Sequence, residues 1–236
     1  MMHALIVDDE PYAREELEAL LLETGEFDIV GSCGNVLEGL REIRKEMPEV
    51  LFLDIQMNNV GGFELLSMID PDIMPRVVFV TAFDEYAVQA FEKDAIDYLV
   101  KPVRKNRLAK TVRKLKENLD KGKRPVYATP DIQKIPCVLI DRIKLISPAE
   151  VDYVRSDASG VHVVCSKGEF FTELTLKVLE DKTDLFRCHK QFLVNLKGID
   201  EIVFRESPFA EVKMKTGLMV PVGRRFLQRL KDRLGI

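Results

Sequence analysis

The first half of the chain contains three carboxylates, one hydroxyl and one ammonium group that directly follow apolar runs. Asp8 and Asp9 follow the first run, Asp54 and Thr81 stand at the ends of two others, and Lys101 follows a fourth. Clustered carboxylates repel one another unless a cation joins them, and a hard ion such as Mg²⁺ prefers oxygen ligands. A carboxylate beside such an ion can attack phosphorus, while an ammonium group offsets charge on the phosphoryl oxygens. The five groups therefore indicate a metal-assisted phosphoryl-acceptor site.

The elements that must position these groups alternate between apolar runs and helical patterns over residues 1–120. Apolar runs without polar alternation are typical of parallel strands covered on both faces, and ligands of such sheets bind at the carboxyl ends of the strands. We therefore expect an α/β fold with a five-stranded, doubly wound parallel sheet whose rim collects the five groups. The predicted strands are 4–7, 27–33, 50–53, 77–80 and 98–100, and the predicted helices are 11–22, 36–47, 63–69, 86–91 and 108–119.

The pattern changes after residue 120. Residues 121–136 contain one glycine, three prolines and several charges, which indicates a linker. Residues 137–236 are expected to form a mainly β domain with only two helices, at 175–181 and 224–234. The predicted strands are 138–146, 151–154, 161–165, 170–172, 192–194, 199–204, 210–214 and 219–222.

Charge is distributed unequally between the two halves. Residues 1–120 contain 24 acids and 14 Lys plus Arg, whereas residues 121–236 contain 15 acids and 21 Lys plus Arg. The second half also has a basic cluster at 187–190 and a ridge of Arg225, Arg229 and Arg233 on one side of its last helical pattern. This distribution favours a polyanionic partner for the second half, although a solvated helix face is the simpler explanation for the ridge alone.

Composition limits the classes of protein to be considered. The four cysteines form no C-x-x-C pair, and Cys188 beside His189 cannot easily chelate one tetrahedral ion. No apolar run reaches the length of a membrane span, and the N-terminal run ends in acids, unlike a signal peptide. We expect a cytoplasmic protein with reduced thiols and no membrane binding.

Motifs of the first half closely resemble those of response-regulator receiver domains. They are Ile6-Val7-Asp8-Asp9-Glu10-Pro11, Leu51-Phe52-Leu53-Asp54-Ile55-Gln56-Met57, Val80-Thr81-Ala82 and Tyr98-Leu99-Val100-Lys101-Pro102. The resemblance implies that a membrane sensor histidine kinase phosphorylates Asp54. It also implies that Mg²⁺ is bound by Asp8, Asp9, Asp54 and the backbone carbonyl of Gln56. Thr81 and Tyr98 are the implied switch pair, and the implied cis peptide bond is Lys101-Pro102. One departure is Asn58-Asn59-Val60-Gly61-Gly62, where the family often has Pro-Gly-Met-Asp-Gly.

Motifs of the second half resemble those of LytTR-type DNA-binding domains. They are Glu150-Val151-Asp152-Tyr153-Val154, Phe171-Thr172-Glu173-Leu174-Thr175-Leu176, the segment from Phe186 to Leu196, and Val220-Pro221-Val222-Gly223-Arg224-Arg225-Phe226. The resemblance implies a mainly β domain that reads DNA with loops. The implied base contacts are Ser159, Lys190 and above all Arg224, and we expect Arg225 and Arg229 to contact phosphates. Gly223 stands where the family often has Ser.

Together the two resemblances imply a two-component transcription regulator of the LytTR family that dimerises when phosphorylated and binds paired DNA sites, such as promoter direct repeats. An enzyme is one alternative, because haloacid-dehalogenase phosphatases also use a strand-end Asp with Mg²⁺. Those enzymes need a second Asp two residues later, and Gln56 occupies that position, so we expect no enzyme. A protein-interaction or RNA-binding adaptor is the other alternative.

Overall fold

The computed structural model describes residues 1–58, 60–82, 95–120, 124–140, 142–204 and 210–236. The chain divides into two compact units, residues 1–130 and residues 131–236. The helix predicted at 86–91 lies outside the described residues.

The first unit contains a five-stranded parallel sheet in the order β2-β1-β3-β4-β5. This confirms the predicted α/β class, because each neighbouring pair of strands is parallel. Its strands are β1 (Met2–Val7), β2 (Phe27–Cys33), β3 (Val50–Leu53), β4 (Arg76–Thr81) and β5 (Asp97–Val100). Its described helices are α1 (Pro11–Glu23), α2 (Val36–Glu46), α3 (Gly62–Met68) and α4 (Lys105–Leu119), with a 3-10 turn at Pro71–Ile73.

Local sequence explains where these helices begin and end. Pro11 opens α1, where its missing N–H costs nothing. The side chain of Asn35 caps α2 by accepting a hydrogen bond from the Glu38 backbone, and Met47 ends that helix in the left-handed conformation.

The middle strands of the sheet are buried on both faces, as apolar strands of a parallel sheet must be. Every residue of β3 and β4 is buried. One core contains side chains from alternate positions of β1, β3, β4 and β5 together with the apolar sides of α1 and α4. The C-terminal strand ends, where the candidate groups stand, are therefore held by a rigid scaffold.

The described residues of the second unit form two antiparallel sheets and two helices. The larger has seven strands in the order β11-β12-β8-β9-β10-β6-β7, and the smaller has the order β13-β14-β15. The strands are β6 (Ile135–Val138), β7 (Ile143–Ile146), β8 (Val151–Asp157), β9 (Gly160–Cys165), β10 (Gly168–Thr172), β11 (Phe186–His189), β12 (Phe192–Val194), β13 (Ile199–Phe204), β14 (Ala210–Met214) and β15 (Met219–Val222). The helices are α5 (Leu176–Lys182) and α6 (Arg224–Leu234), with 3-10 turns at Pro148–Glu150 and Leu196–Gly198.

One sequence prediction needs correction here. Residues 138–146 do not form one strand; they contain the end of β6, a turn and β7, and the two strands pair with each other. The strand β6 begins at Ile135, inside the segment expected to be linker.

The helix α6 has the bounds that its sequence predicted, and it packs through its apolar side. Leu230 is fully buried in a core with β11, β12 and the three-stranded sheet, and Leu227 and Leu234 pack against the same core. Phe226 is buried as well. The first residue of this helix, Arg224, remains exposed.

The segment between the two sheets is partly anchored. In the first unit, the Tyr127 hydroxyl lies 2.8 Å from the backbone nitrogen of Val77 and 3.2 Å from the backbone oxygen of Pro75. In the second unit, the Ile132 backbone nitrogen donates to the Lys182 oxygen at 2.8 Å.

Candidate functional site

The neighbouring strands β1 and β3 bring Asp8 and Asp54 together. Val7 pairs with Leu53, and the Asp54 backbone nitrogen donates to the Val7 oxygen at 2.9 Å. Both aspartates therefore leave the sheet side by side, and they are 2% and 5% exposed. Burial of two adjacent carboxylates is costly unless a cation offsets their charge.

That cation is the ammonium group of Lys101, which follows β5. Its Nζ lies 2.7 Å from Asp8 Oδ2, 2.7 Å from Asp54 Oδ2 and 3.1 Å from Glu10 Oε2. Burial alone would lower the pKa of Lys101, but hydrogen bonds to Asp54 and Asp8 outweigh burial and raise the pKa above its usual value. Lys101 therefore stays charged at neutral pH.

Asp8 is held by several contacts that fix its orientation. Its Oδ1 accepts a hydrogen bond from the Glu10 backbone at 2.9 Å, and its backbone oxygen accepts one from Arg14 at 2.6 Å. Burial raises the pKa of Asp8, and the charge of Asp54 adds to the effect, although Lys101 and the Glu10 backbone oppose it. A second cation near this pair would therefore be stabilised by both carboxylates.

Glu10 joins this cluster, and the sequence analysis did not single it out. Carboxylate oxygens of Asp8, Glu10 and Asp54 lie within 4.8 Å of one another, close enough to share one metal ion. Its place directly after the two aspartates, at the start of α1, was the available signal in the sequence. Its side chain is largely exposed, in contrast to the two buried aspartates.

Asp9, a predicted metal ligand, is turned towards the loop after β3. Its Oδ2 accepts hydrogen bonds from the Asn58 backbone nitrogen at 3.0 Å and from Asn58 Nδ2 at 2.7 Å. Asp9 as a metal ligand therefore stays a prediction, and ligation beside Asp8 and Asp54 requires its carboxylate to move.

The loop after β3 passes very close to the phosphoacceptor candidate. The Gln56 backbone nitrogen donates to Asp54 Oδ1 at 3.2 Å, while the role of its carbonyl as a metal ligand stays a prediction. A Cβ added to Gly62 would lie 2.2 Å from the Asp54 backbone oxygen. Only glycine fits at this point of close approach.

Thr81 and Tyr98 lie on neighbouring strands of the same sheet. Thr81 ends β4 and is 1% exposed, and its Oγ1 is one of the buried polar atoms of the described residues that has no hydrogen-bond partner. Tyr98 lies in β5 and is also buried. A buried hydroxyl without a partner is unusual, and it leaves the donor of Thr81 available for an added group at the strand end. The peptide bond between Lys101 and Pro102 is cis, which confirms the expectation from the motif.

The donor set fits a magnesium ion. Three carboxylates with oxygens in mutual reach are hard ligands, and two of them are rigidly held at strand ends. When bound, such an ion would draw charge from phosphoryl oxygens and position them for attack by a carboxylate. Asp8, Glu10 and Asp54 are the residues that the structure brings together for it.

The second unit brings three predicted DNA contacts together. The Gly223 backbone nitrogen donates to the Cys188 oxygen at 2.9 Å, so the start of α6 lies beside the turn between β11 and β12. Arg224 and Arg225 begin that helix, and the turn contains Lys190; all three are exposed. The result is one basic surface built from segments that are distant in sequence.

The pKa of His189 is lowered by burial and by the charge of this surface. Burial lowers the pKa of His189, and the nearby positive charges of Lys190, Arg187 and Arg225 lower it further. Its Nδ1 accepts a hydrogen bond from the Gln191 backbone at 3.2 Å, which orders the turn. His189 therefore orders the turn beside the basic surface, and the positive charge of that surface comes from Lys190, Arg187 and Arg225.

The remaining predicted contacts, Ser159 and Arg229, have acidic neighbours. Ser159, exposed in the turn between β8 and β9, donates to Asp157 Oδ1 at 2.5 Å and lies 2.9 Å from His162 Nε2. Arg229 lies over the Phe186 ring, 5.8 Å from its centroid, and it lines a groove that also contains acidic side chains. The structure thus places Arg229 on a flank of α6 and Arg224 at its start. The charged residues that line the groove are Glu180, Asp184, Arg187, Arg229, Asp232 and Arg233.

Family comparisons agree with both halves of this arrangement. Residues 4–113 match the response regulator receiver domain, and residues 141–235 match the LytTr DNA-binding domain. The chain belongs to the response regulators that carry a LytTr DNA-binding domain. Members of this family are DNA-binding transcription regulators, not enzymes, so neither the phosphatase alternative nor the adaptor alternative describes this chain.

Full-length relatives have the same organisation. The chain is 50% identical over 235 residues to an uncharacterized response regulatory protein of Vibrio cholerae, covering 100% of this chain and 99% of the relative. It is 46% identical over 241 residues to the transcriptional regulatory protein BtsR of Escherichia coli, covering 100% of both chains. The expected resemblance to the BtsR branch over the full length of the chain, the segment from Thr81 to Ala87 included, is confirmed by this match. A crystal structure of the response regulatory domain of mrkE from Klebsiella pneumoniae shares 33% identity and a TM-score of 0.46 over 51% of this chain and 99% of that one.

Among the helices of the described residues, none combines the length and the apolar character that crossing a membrane would require.

Proposed function

We propose that this response regulator is switched by phosphorylation of Asp54 and that the phosphorylated form binds promoter DNA through the basic surface of its LytTr domain. The observation that carries the proposal is the Asp54 carboxylate, held 2.7 Å from Lys101 and beside Asp8 at the carboxyl rim of the sheet. A sensor histidine kinase, embedded in the membrane, is the proposed phosphodonor. A cytoplasmic location follows from the proposed DNA partner.

The groups around Asp54 suit phosphoryl transfer. Attack of one Asp54 oxygen on phosphorus forms the P–O bond of an acyl phosphate while the P–N bond to the kinase histidine breaks and its imidazole leaves. The phosphoryl group carries about −1.5 to −2 charges at a point where the carboxylate carried about −1. Lys101 is charged and within reach of that position, and Asp8, Glu10 and Asp54 would hold a Mg²⁺ ion that would offset the remaining charge. We keep Asp9 and the Gln56 carbonyl as further proposed ligands.

Thr81 and Tyr98 are the proposed switch pair. The buried Thr81 hydroxyl has no partner among the described residues and can donate a hydrogen bond to a phosphoryl oxygen. Its movement towards the phosphate changes the space near Tyr98 on the neighbouring strand. The surface next to these strands is where we propose that two phosphorylated chains form a homodimer.

Arg224, Lys190 and Ser159 are the proposed base contacts, and Arg225 and Arg229 the proposed phosphate contacts. The exposure of Arg224 and Lys190 on one basic surface supports this assignment. A dimer would place two such surfaces on paired sites, such as direct repeats, and linking two weak contacts raises affinity without new interactions. We propose residues 1–120 as receiver, 121–136 as linker and 137–236 as DNA-binding domain.

A phosphate-affinity gel tests the central claim. The wild-type chain and an Asp54→Ala variant are incubated with acetyl phosphate and Mg²⁺, and the retarded fraction is measured with and without EDTA. We expect a retarded band only for the wild type and only with Mg²⁺. Glu64→Ala, which changes a carboxylate of α3 outside the cluster, serves as the control and should behave as the wild type. Equal retardation of wild type and Asp54→Ala would refute the assignment.

A further inference from the structure

Asn58 donates two hydrogen bonds to one carboxylate oxygen of Asp9. Its backbone nitrogen and its side-chain Nδ2 donate to Asp9 Oδ2 at 3.0 and 2.7 Å. Hydrogen bonds to a charged acceptor are stronger than those between neutral groups. The Asp9 carboxylate is thereby held against the loop that follows β3.

This contact keeps Asp9 out of the group of carboxylates that could share a metal ion. The described carboxylates in mutual reach are those of Asp8, Glu10 and Asp54. Asp9 directly follows Asp8 in the chain. It could therefore join that group by a change of its side-chain rotamer, without a rearrangement of the sheet. The two bonds from Asn58 oppose that change.

The residue type at position 58 makes this contact possible. Asn58 stands where receiver domains often have proline, which has neither a backbone N–H nor a side-chain amide. Asn58 supplies both donors, and the turn is closed by a hydrogen bond from the Val60 nitrogen to the Asn58 oxygen at 3.0 Å. The loop sequence of this chain therefore creates a specific partner for Asp9.

We propose that Asn58 competes with the metal ion for Asp9 and thereby weakens Mg²⁺ binding at the phosphorylation site. The inference rests on the proposed function and deepens it, because it names a residue that sets the Mg²⁺ concentration at which phosphorylation proceeds. Lys101 complements the effect, since its contacts with Asp8, Asp54 and Glu10 neutralise the cluster while Asp9 is withdrawn. Asn58 is a positioning residue that acts through Asp9.

The Mg²⁺ affinity of the full chain tests this proposal. Backbone amide resonances near the cluster are followed by NMR during titration with MgCl₂, with no phosphodonor present. Asn58→Ala removes one of the two donors and should lower the Mg²⁺ Kd by about twofold to tenfold, the effect of one hydrogen bond. Asn58→Pro removes both donors and should lower the Kd at least as far.

Two further measurements distinguish competition by Asn58 from the existence of the metal site itself. Asn106→Ala, at an exposed position in the first turn of α4, should leave the Kd unchanged, and Asp8→Asn should raise it strongly. In the wild type, the Asn58 side-chain amide protons should shift upfield as Mg²⁺ saturates the site, because their bond to Asp9 is broken. This last measurement uses only the wild-type chain and does not depend on the folding of any variant.

Each outcome has one meaning. A wild-type chain without any Mg²⁺ response would overturn the proposed metal site itself. If the wild type binds Mg²⁺ and Asn58→Ala binds it equally or more weakly, the metal site stands and competition by Asn58 is wrong, since Asn58 would then be neutral or would preorganise Asp9. An Asn58 side-chain resonance that does not move on saturation would overturn the competition as well.

Discussion

The Tyr127 hydroxyl accepts a hydrogen bond from the Val77 backbone nitrogen at 2.8 Å and lies 3.2 Å from the Pro75 oxygen, to which it donates. Tyr127 is 6% exposed although it belongs to the segment expected to be a linker. Val77 is the second residue of β4, and the same strand ends at Thr81. One strand therefore contacts the connecting segment at one end and the candidate phosphorylation site at the other.

Tyr127→Phe should destabilise the first unit by about 1–3 kcal/mol, because the buried Val77 nitrogen loses its partner while the aromatic ring is kept. Urea denaturation followed by circular dichroism measures the effect. Tyr12→Phe is the matched control, since Tyr12 is 86% exposed, and it should have no effect. Equal stability of both variants would show that the Tyr127 hydroxyl does not anchor the segment.

Asp97→Asn should lower stability at neutral pH, and the loss should shrink as the solution is acidified. Burial would raise the pKa of Asp97, but hydrogen bonds from Arg107, Lys114 and Thr111 outweigh burial and lower it well below its usual range. A depressed pKa in the folded state gives stability that is present above the unfolded pKa of about 3.9 and is lost as the pH falls through the folded value. Asp97 is buried, but its partners Arg107 and Lys114 are 38% and 46% exposed, so solvent weakens the pairing and the loss at neutral pH should be about 1–3 kcal/mol.

The measurement for Asp97 is the difference in unfolding free energy between wild type and variant at pH 6.5 and pH 3. Asp28→Asn provides the control, because Asp28 is exposed and pairs with His3 at 3.6 Å. Surface pairs of this kind contribute about 1 kcal/mol or less. A difference for Asp97→Asn that is as large at pH 3 as at pH 6.5 would contradict the assigned charge network.

Gly62→Ala should destabilise the first unit by about 1–3 kcal/mol, because the new methyl group overlaps the Asp54 backbone oxygen and the loop must shift. Displacement of Asp54 should also slow its phosphorylation by acetyl phosphate. In Gly34→Ala the nearest heavy atom, on Arg14, would lie at an ordinary contact distance of 3.5 Å, so this control should retain both properties. Thermal unfolding and the phosphate-affinity gel provide the two measurements, and wild-type behaviour of Gly62→Ala in both would argue against the close approach.

Arg224→Ala should reduce discrimination between specific and random DNA by about 1–3 kcal/mol, as expected for the loss of a base contact. Arg229→Ala should weaken binding to both DNAs alike and reduce the salt dependence by about one phosphate contact. Fluorescence anisotropy at several salt concentrations distinguishes the two effects. Arg113→Ala, in α4 of the first unit, is the control. Equal losses on both DNAs for Arg224→Ala would contradict its base-reading role.

Features set by short-range patterns could be predicted from the sequence. The parallel sheet followed from apolar strand runs, and the bounds of α6 followed from the spacing of Leu227, Leu230 and Leu234. The cis bond before Pro102 was implied by the resemblance of the segment from Tyr98 to Pro102 to receiver domains. In each case the determining residues lie within one element or one turn.

Features that depend on contacts between distant segments could not be predicted in the same way. Asp9 and Asn58 are separated by 49 positions, and the contact depends on the rotamers of both side chains. Tyr127 and Val77 are separated by 50 positions, and a proline-rich segment gives no pattern that reveals a buried hydroxyl. Two acidic residues that share a groove with Arg229, Glu180 and Asp184, come from α5 and the segment after it, so the helical wheel of α6 alone could not reveal them.

The hydrogen bond from the Gly223 nitrogen to the Cys188 oxygen has a consequence for how DNA preference can change. It fixes the spacing between Lys190 and Arg224 through the backbone, independently of either side chain. With Lys190 and Arg224 as the proposed base contacts, substitutions at those two positions should alter which bases are preferred while the number of base pairs between the two contacts stays constant. Homologues that differ at these positions should recognise half-sites of equal length and different sequence.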